Sequence, residues 1–239
     1  HGHADHLLVS AGSAVANISN ASSAGVPLDF VKNTVCLPYN DTEALEAYFK
    51  KNGDRVAALI LEPVACNMGV VVPTLQFLMA TRELTRRYGA ILIFDEVITG
   101  FRLSAGGAQE LYGITPDMTA LGKIVGGGMP LAAYGGRREI MEQVAPLGAV
   151  YQAGTLSGNP IATAAGIAQI TEIERTPDLY TELERKTAKL EAAAGKAGLN
   201  VNRCGSLMTV FFTDKQVTDY DTALTYYARV TARTEQLEV

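Results

Sequence analysis

Two residues in this sequence stand where chemistry is easily built. Asp95 closes the apolar run Ala90-Ile91-Leu92-Ile93-Phe94. A carboxylate at such a place is poorly solvated and calls for a cationic partner. On its own it reads equally as a helix cap or a surface turn. Lys123 lies in Leu121-Gly122-Lys123-Ile124-Val125-Gly126-Gly127-Gly128. Glycines let the backbone approach a ligand closely. A lysine in a confined site sheds its proton readily and can form a Schiff base with a carbonyl. The competing reading is a phosphate-binding lysine, but the order G-x-x-x-x-G-K-[ST] is absent, because most of these glycines follow the lysine.

A third group draws the eye and fails. The sequence has 3 histidines, at His1, His3 and His6, spelling H-x-H-x-D-H with Asp5. That string resembles the metal motif of the metallo-β-lactamase-like hydrolases, where imidazoles and an Asp hold metals that activate a water. Such sites need further histidines later in the chain. None follows His6, so no metal site is expected.

The elements that must position Asp95 and Lys123 follow from the pattern around them. Val56 to Leu61 and Ala90 to Phe94 are continuous apolar runs, as in parallel strands buried on both faces. Between them a helix is expected from Pro73 or Thr74 to Tyr88, stopped by Gly89. Another opens at a capping box of Asn40 and Glu43 and runs to about Lys51. Met118–Leu121 and Leu131–Tyr134 are short strand candidates, and a helix over 137–144 follows. Asn159-Pro160 starts an Ala-rich helix to about Glu174. Thr176 caps the next, with Pro177 at its first turn and Leu179, Leu183 and Leu190 as its apolar stripe. Ser206 to Thr213 reads as a strand, and the tail from about Thr218 is helical by propensity. Buried strands alternating with helices mean an α/β fold with a mainly parallel sheet flanked by helices. In such sheets ligands sit beyond the carboxyl ends of the strands, which is where Asp95 falls.

Composition narrows the partners. At 48% hydrophobic and 19% charged, the chain can bury a core. A net charge of −5 gives no basic footprint for nucleic acid or an anionic membrane surface. No apolar run approaches the roughly 18 residues that a membrane span needs. Three separated cysteines, Cys36, Cys66 and Cys204, fit a reducing compartment, so a cytoplasmic protein is expected. No transit peptide is visible (a plastid would be expected only for a plant or algal source). The abrupt start at His1 suggests a piece of a longer polypeptide.

Together, Asp95 and Lys123 match what pyridoxal 5′-phosphate (PLP) requires. The lysine joins its aldehyde carbon, and the aspartate keeps its ring nitrogen protonated so the ring can accept electrons. The surrounding motifs carry the resemblance further. Leu92 to Arg102 (L-I-F-D-E-V-I-T-G-F-R), Leu121 to Pro130, and Gly154-Thr155-Leu156-Ser157-Gly158-Asn159-Pro160 resemble the class III aminotransferases of PLP fold type I. So do Glu62-Pro63-Val64-Ala65-Cys66-Asn67-Met68-Gly69 and His1-Gly2-His3-Ala4-Asp5.

The resemblance implies the following roles. Lys123 holds the cofactor covalently and shuttles protons, and Asp95 pairs with the ring nitrogen. Val97 packs on one ring face, Asn67 bonds the ring's 3′ oxygen, and His1 is a cofactor-site residue next to the position of the family's ring-stacking aromatic, which is absent here. Gly154 and Thr155 bind the cofactor phosphate of a neighbouring subunit, which implies a homodimer with shared active sites. Ser13 contacts a small-molecule substrate, and 3–31 forms a mobile lid. Each has a plainer alternative: Val97 as core, Thr155 as a cap, Ser13 as linker. The resemblance also implies a PLP-binding large domain over 1–175 and a connecting helix with part of a small α+β C-terminal domain over 176–239. Many members carry Glu at the Asn67 position and Gln at the Ile98 position. Asn67 with Ile98 favours the branch that moves an amino group within one carbon skeleton. An ordinary ω-aminotransferase or a non-catalytic member is the alternative. Ala14, Cys66 and Ala132 stand where glycine is common in the family.

Overall fold

The computed structural model describes residues 4–9 and 22–225. Its helices are α1 (Leu28–Val31), α2 (Thr42–Asn52), α3 (Leu75–Tyr88), α4 (Gly107–Tyr112), α5 (Arg138–Met141), α6 (Pro160–Arg175) and α7 (Leu179–Lys196). Its strands are β1 (Ala58–Leu61), β2 (Ile91–Glu96), β3 (Met118–Leu121), β4 (Ala133–Gly136), β5 (Asn200–Cys204) and β6 (Leu207–Phe211). The first four form one sheet in that order; β5 and β6 form a hairpin. β1, β2 and β3 run parallel, and β4 closes the sheet antiparallel.

The crossover between β1 and β2 is built as its sequence suggests. Thr74 caps α3 by accepting from the Phe77 N–H, and Gly89 ends it in the left-handed conformation. α3 buries Phe77, Leu78, Thr81, Leu84 and Thr85 along one stripe. The buried threonine hydroxyls donate back to the carbonyls of Leu78 and Thr81, so that they enter the core satisfied. Phe77 and Leu84 meet Leu45 and Phe49 of α2, while Leu78 packs with Leu92 and Phe94 of β2.

Several sequence expectations are corrected. The cap of α2 is Asp41, which accepts from the Ala44 N–H. Asn40 instead takes a left-handed φ of 64° and turns its amide outward. Its Nδ2 donates to the Val72 and Thr218 carbonyls and its Oδ1 accepts from the Thr74 N–H. β1 is not buried on both faces. Among the described residues it is an edge strand, and Ile60 is 42% exposed. Thr176 does not cap α7. Its hydroxyl donates back to the Glu172 carbonyl, ending α6, and Asp178 takes the cap position. On α7, Leu179 and Leu183 are half-buried and Thr187 is buried, but Leu190 is exposed. α5 stops at Met141, short of the expected helix end. β5 was not anticipated, because Asn200-Val201-Asn202-Arg203-Cys204 is too polar to signal a strand. Its pairing with β6 supplies the order, and Arg203 bridges it to Glu184 and Glu191 of α7.

Candidate active site

Chain direction decides which acid at the end of β2 faces the site. Side chains alternate along a strand, so Asp95 and Glu96 leave opposite faces. Glu96 shares the side of Leu92 and Phe94 and is wholly buried. It accepts from Thr99 Oγ1 (2.9 Å), the Ala108 N–H (2.6 Å), and the backbone and side-chain amides of Gln109 (3.1 Å each). Gly107 makes room for it: a β-carbon there would stand 2.2 Å from Glu96 Oε2. Glu96 therefore ties α4 to the sheet and is fully occupied. Asp95 lies on the other face, 8% exposed, and accepts from the Val97 N–H at 3.1 Å.

β3 pairs with β2 so that Leu121 lies opposite Glu96. The turns after the two strands are therefore neighbours. Gly122 lies against Val97, and Lys123 follows with φ 48°. A left-handed backbone costs a non-glycine residue about 1–2 kcal/mol, and such strain gathers at functional sites. Here it turns Lys123 into a cleft of about 380 Å³ shared with Cys66, Ile98, Arg102, Ser206 and Met208. That size is within the range of small-ligand sites. Behind Lys123, Gly127 lets helix α6 come close; a β-carbon there would stand 2.6 Å from the Ala165 carbonyl oxygen.

The loop after β1 forms the third side. Asn67 is exposed, and its Nδ2 donates to Glu62 Oε1 at 2.8 Å. The Cys66 N–H donates to Glu62 Oε2 at 2.9 Å. Burial pushes the Glu62 carboxyl above its ordinary pKa, against these hydrogen bonds, and Asp95 adds to the push. Burial also pushes the Cys66 thiol up to about 12, with Glu62 and Cys204 reinforcing it and Lys123 opposing.

Lys123 and Ile98 line the cleft, while Asp95 and Val97 at the end of β2 and Asn67 on the loop after β1 lie next to lining residues without lining it themselves. Gly154 and Thr155 do not join them; they lie on an exposed turn outside the cleft lining. His1, Ser13 and residues 3 and 10–21 of the expected lid lie outside the described residues. No group of three or more metal-ligating side chains occurs among the described residues, and no described helix is long and apolar enough to cross a membrane. Glu62 and Arg102 were not singled out as site residues from sequence. Glu62 carried the same signal as Asp95, an acid directly after an apolar strand.

These residues suit PLP. A lysine amine lines the cleft, and near it stand a carboxylate shielded from water at the end of β2 and an amide on the loop that contributes Cys66. The branched Val97 side chain beside the lysine turn supplies an apolar surface for a flat ring.

A family model described as aminotransferase class-III matches residues 1–225. The chain is 56% identical over 229 residues to the glutamate-1-semialdehyde 2,1-aminomutase of Persephonella marina, covering 93% of this chain and 53% of that one. With the enzyme of the same name from Aquifex aeolicus the identity is 56% over 231 residues, 94% and 54% of the two chains. The chain spans about half the length of the curated relatives it matches. Among solved structures, an ω-transaminase from Sphaerobacter thermophilus matches with TM-score 0.83 and 32% identity, over 93% of this chain and 54% of that one. A glutamate-1-semialdehyde-aminomutase from Pseudomonas aeruginosa in complex with PMP matches with TM-score 0.73 and 28% identity, over 95% and 52%.

Proposed function

Since the chain belongs to the class III aminotransferase family, with the fold of the type I PLP-dependent transferases, we propose that its activity is that of a glutamate-1-semialdehyde 2,1-aminomutase, of whose length it spans about half. The reaction is the conversion of (S)-4-amino-5-oxopentanoate to 5-aminolevulinate in tetrapyrrole biosynthesis. The observation that carries this reading is identity of about 55% with aminomutases along nearly the whole chain, together with Asn67 on the loop that faces Lys123.

PLP, when bound, supplies an electron sink and an amino-group carrier. The chain's own residues do the rest. Lys123 would hold the cofactor through its Nζ and carry protons between cofactor and substrate carbons. Asp95, buried and acceptor-only, would keep the ring nitrogen protonated. Val97 would press on one ring face, and Asn67 would orient the 3′ oxygen. His1 would lie at the cofactor site next to the position of the family's ring-stacking aromatic, and Ser13 would touch substrate, with 3–31 excluding water around it.

Gly154 and Thr155 would serve the phosphate in a partner subunit. That role would require a homodimer with shared sites, which the apolar surface around them supports: Tyr151 is 85% exposed and Leu156 71%. The large domain would cover 1–175 and the second unit 176–239. The bacterial relatives and the cysteine usage support a cytoplasmic location.

Two measurements test the reading. Lys123→Ala should abolish covalent capture of PLP by borohydride; undiminished labelling rejects Lys123. Amino transfer to an external keto acid such as pyruvate should be slow; efficient transfer would make the chain an ω-aminotransferase instead.

A further inference from the structure

Asn67 can serve a cofactor only if its amide faces one way, and the structure shows one group that fixes it. The loop from Glu62 to Val72 is tied down at several points. Ala65 and Val71 exchange backbone hydrogen bonds of 3.1 and 2.8 Å. The Val70 N–H donates to Thr209 Oγ1 of β6. Gly69, with φ 85°, lies so close to the Phe211 ring that a β-carbon would meet it at 2.5 Å. The backbone is therefore set, but the Asn67 side chain at its tip is exposed. The hydrogen bond that holds it is one the Asn67 amide donates to Glu62.

We propose that Glu62 is a positioning residue of the cofactor site, whose carboxylate fixes the orientation of the Asn67 amide. This rests on the reading of the cleft as a PLP site. The logic is one of donors and acceptors. A carboxylate only accepts, so the Asn67 nitrogen must face it, and the other face of the amide is then determined. With Oε2 bound to the Cys66 N–H and Oε1 to Asn67, both oxygens are committed within five residues of chain. Glu62 directly follows β1, whose last residue Leu61 lies opposite Phe94, the residue before Asp95 on the neighbouring β2, so the two carboxyls sit at adjacent strand ends. The titratable groups that face Glu62 are Tyr39, Cys66 and Asp95, with Lys123 beyond Cys66. A neutral amide in place of Glu62 could pair with Asn67 either way round. The unique orientation would then be lost without loss of volume.

The experiment uses the full chain loaded with PLP. It compares Glu62→Gln, Asn67→Ala and the double variant by the pH midpoint of the visible cofactor band and the rate of PLP loss on dialysis. Glu62→Gln should move the midpoint in the same direction as Asn67→Ala and speed PLP loss about tenfold. The double variant should be no worse than Asn67→Ala alone, because Glu62 acts through Asn67. Glu62→Asp, which keeps the charge but shortens its reach, should show the same shift and serves if the glutamine variant does not fold. An unmoved midpoint with only a lower melting temperature would overturn the proposal, as would additive effects in the double variant. A parent chain that takes up no PLP, or Lys123→Ala that still captures it, would overturn the underlying reading as well, before any Glu62 variant is compared.

Discussion

Gly122 lies directly against Val97: a β-carbon built on the glycine would stand 3.1 Å from Val97 Cγ1. That contact joins the turn after β2, which begins just beyond Asp95, to the turn after β3, which carries Lys123. The spacing between them therefore depends on a missing side chain. Gly122→Val should force the turns apart, lowering stability by about 1–3 kcal/mol through overpacking. It should also weaken PLP uptake. Thermal unfolding and cofactor titration on the same variant check both.

The backbone of Lys123 has the opposite demand. At φ 48° it holds a conformation that glycine takes freely and alanine does not. Lys123→Gly and Lys123→Ala both remove the amine, so both should lose borohydride capture. Lys123→Gly should nonetheless be more stable than Lys123→Ala by about 1 kcal/mol. Equal melting temperatures would show that the turn relaxes.

Far from the cleft, Asp117 joins the start of β3 to α3 and β4. It is 5% exposed, accepts from the Leu92 N–H, and pairs with Arg82 and Arg137 at 2.9 Å each. Burial works against its charge, but these three donors outweigh burial and hold its carboxyl below the ordinary value. A lowered folded-state pKa gives stability that is complete above the unfolded value of about 3.9 and is lost as pH falls through the folded value. Asp117→Asn should accordingly flatten the loss of stability below about pH 4. At neutral pH Asp117→Ala should cost about 3 kcal/mol, the low end for a buried pair, because Arg137 is half exposed and screened. Denaturant unfolding across pH measures both.

The thiols make a chemical prediction. Burial raises the pKa of Cys36, Cys66 and Cys204, Cys66 to about 12. The thiolate is the reacting form, so folded protein at pH 8 should resist iodoacetamide at all three, while unfolded protein should react at all three. Mass mapping of rapid labelling at Cys66 in the folded state would contradict the burial described for it.

Much of this site could be read from the sequence because its positions depend on local rules. Asp95 was legible because five apolar residues lead into it, and Lys123 because glycines surround it. The β1-α3-β2 unit followed from Thr74, the stripe on α3 and Gly89. What escaped depended on distant partners. β5 is polar and becomes a strand through β6 and the arginine bridge to α7. Asn40 looked like a helix cap, but its amide is drawn away by Val72, Thr74 and Thr218. Glu62 shares Asp95's signal, yet its partner Asn67 is visible only once the loop is folded back.

Asn40 also bears on the order in which the molecule is assembled. Its bond to Val72 spans 32 residues of chain, and its bond to Thr218 spans 178. Closing so long a loop carries a large entropic cost, and distant pairings of this kind form late in folding. A contact absent from the transition state governs escape from the native state and hardly affects entry. Asn40 is thus a latch on the lifetime of the folded molecule, setting how long the β6–Thr218 segment stays on the β1 loop while leaving the speed of folding largely to the helices and the parallel strands.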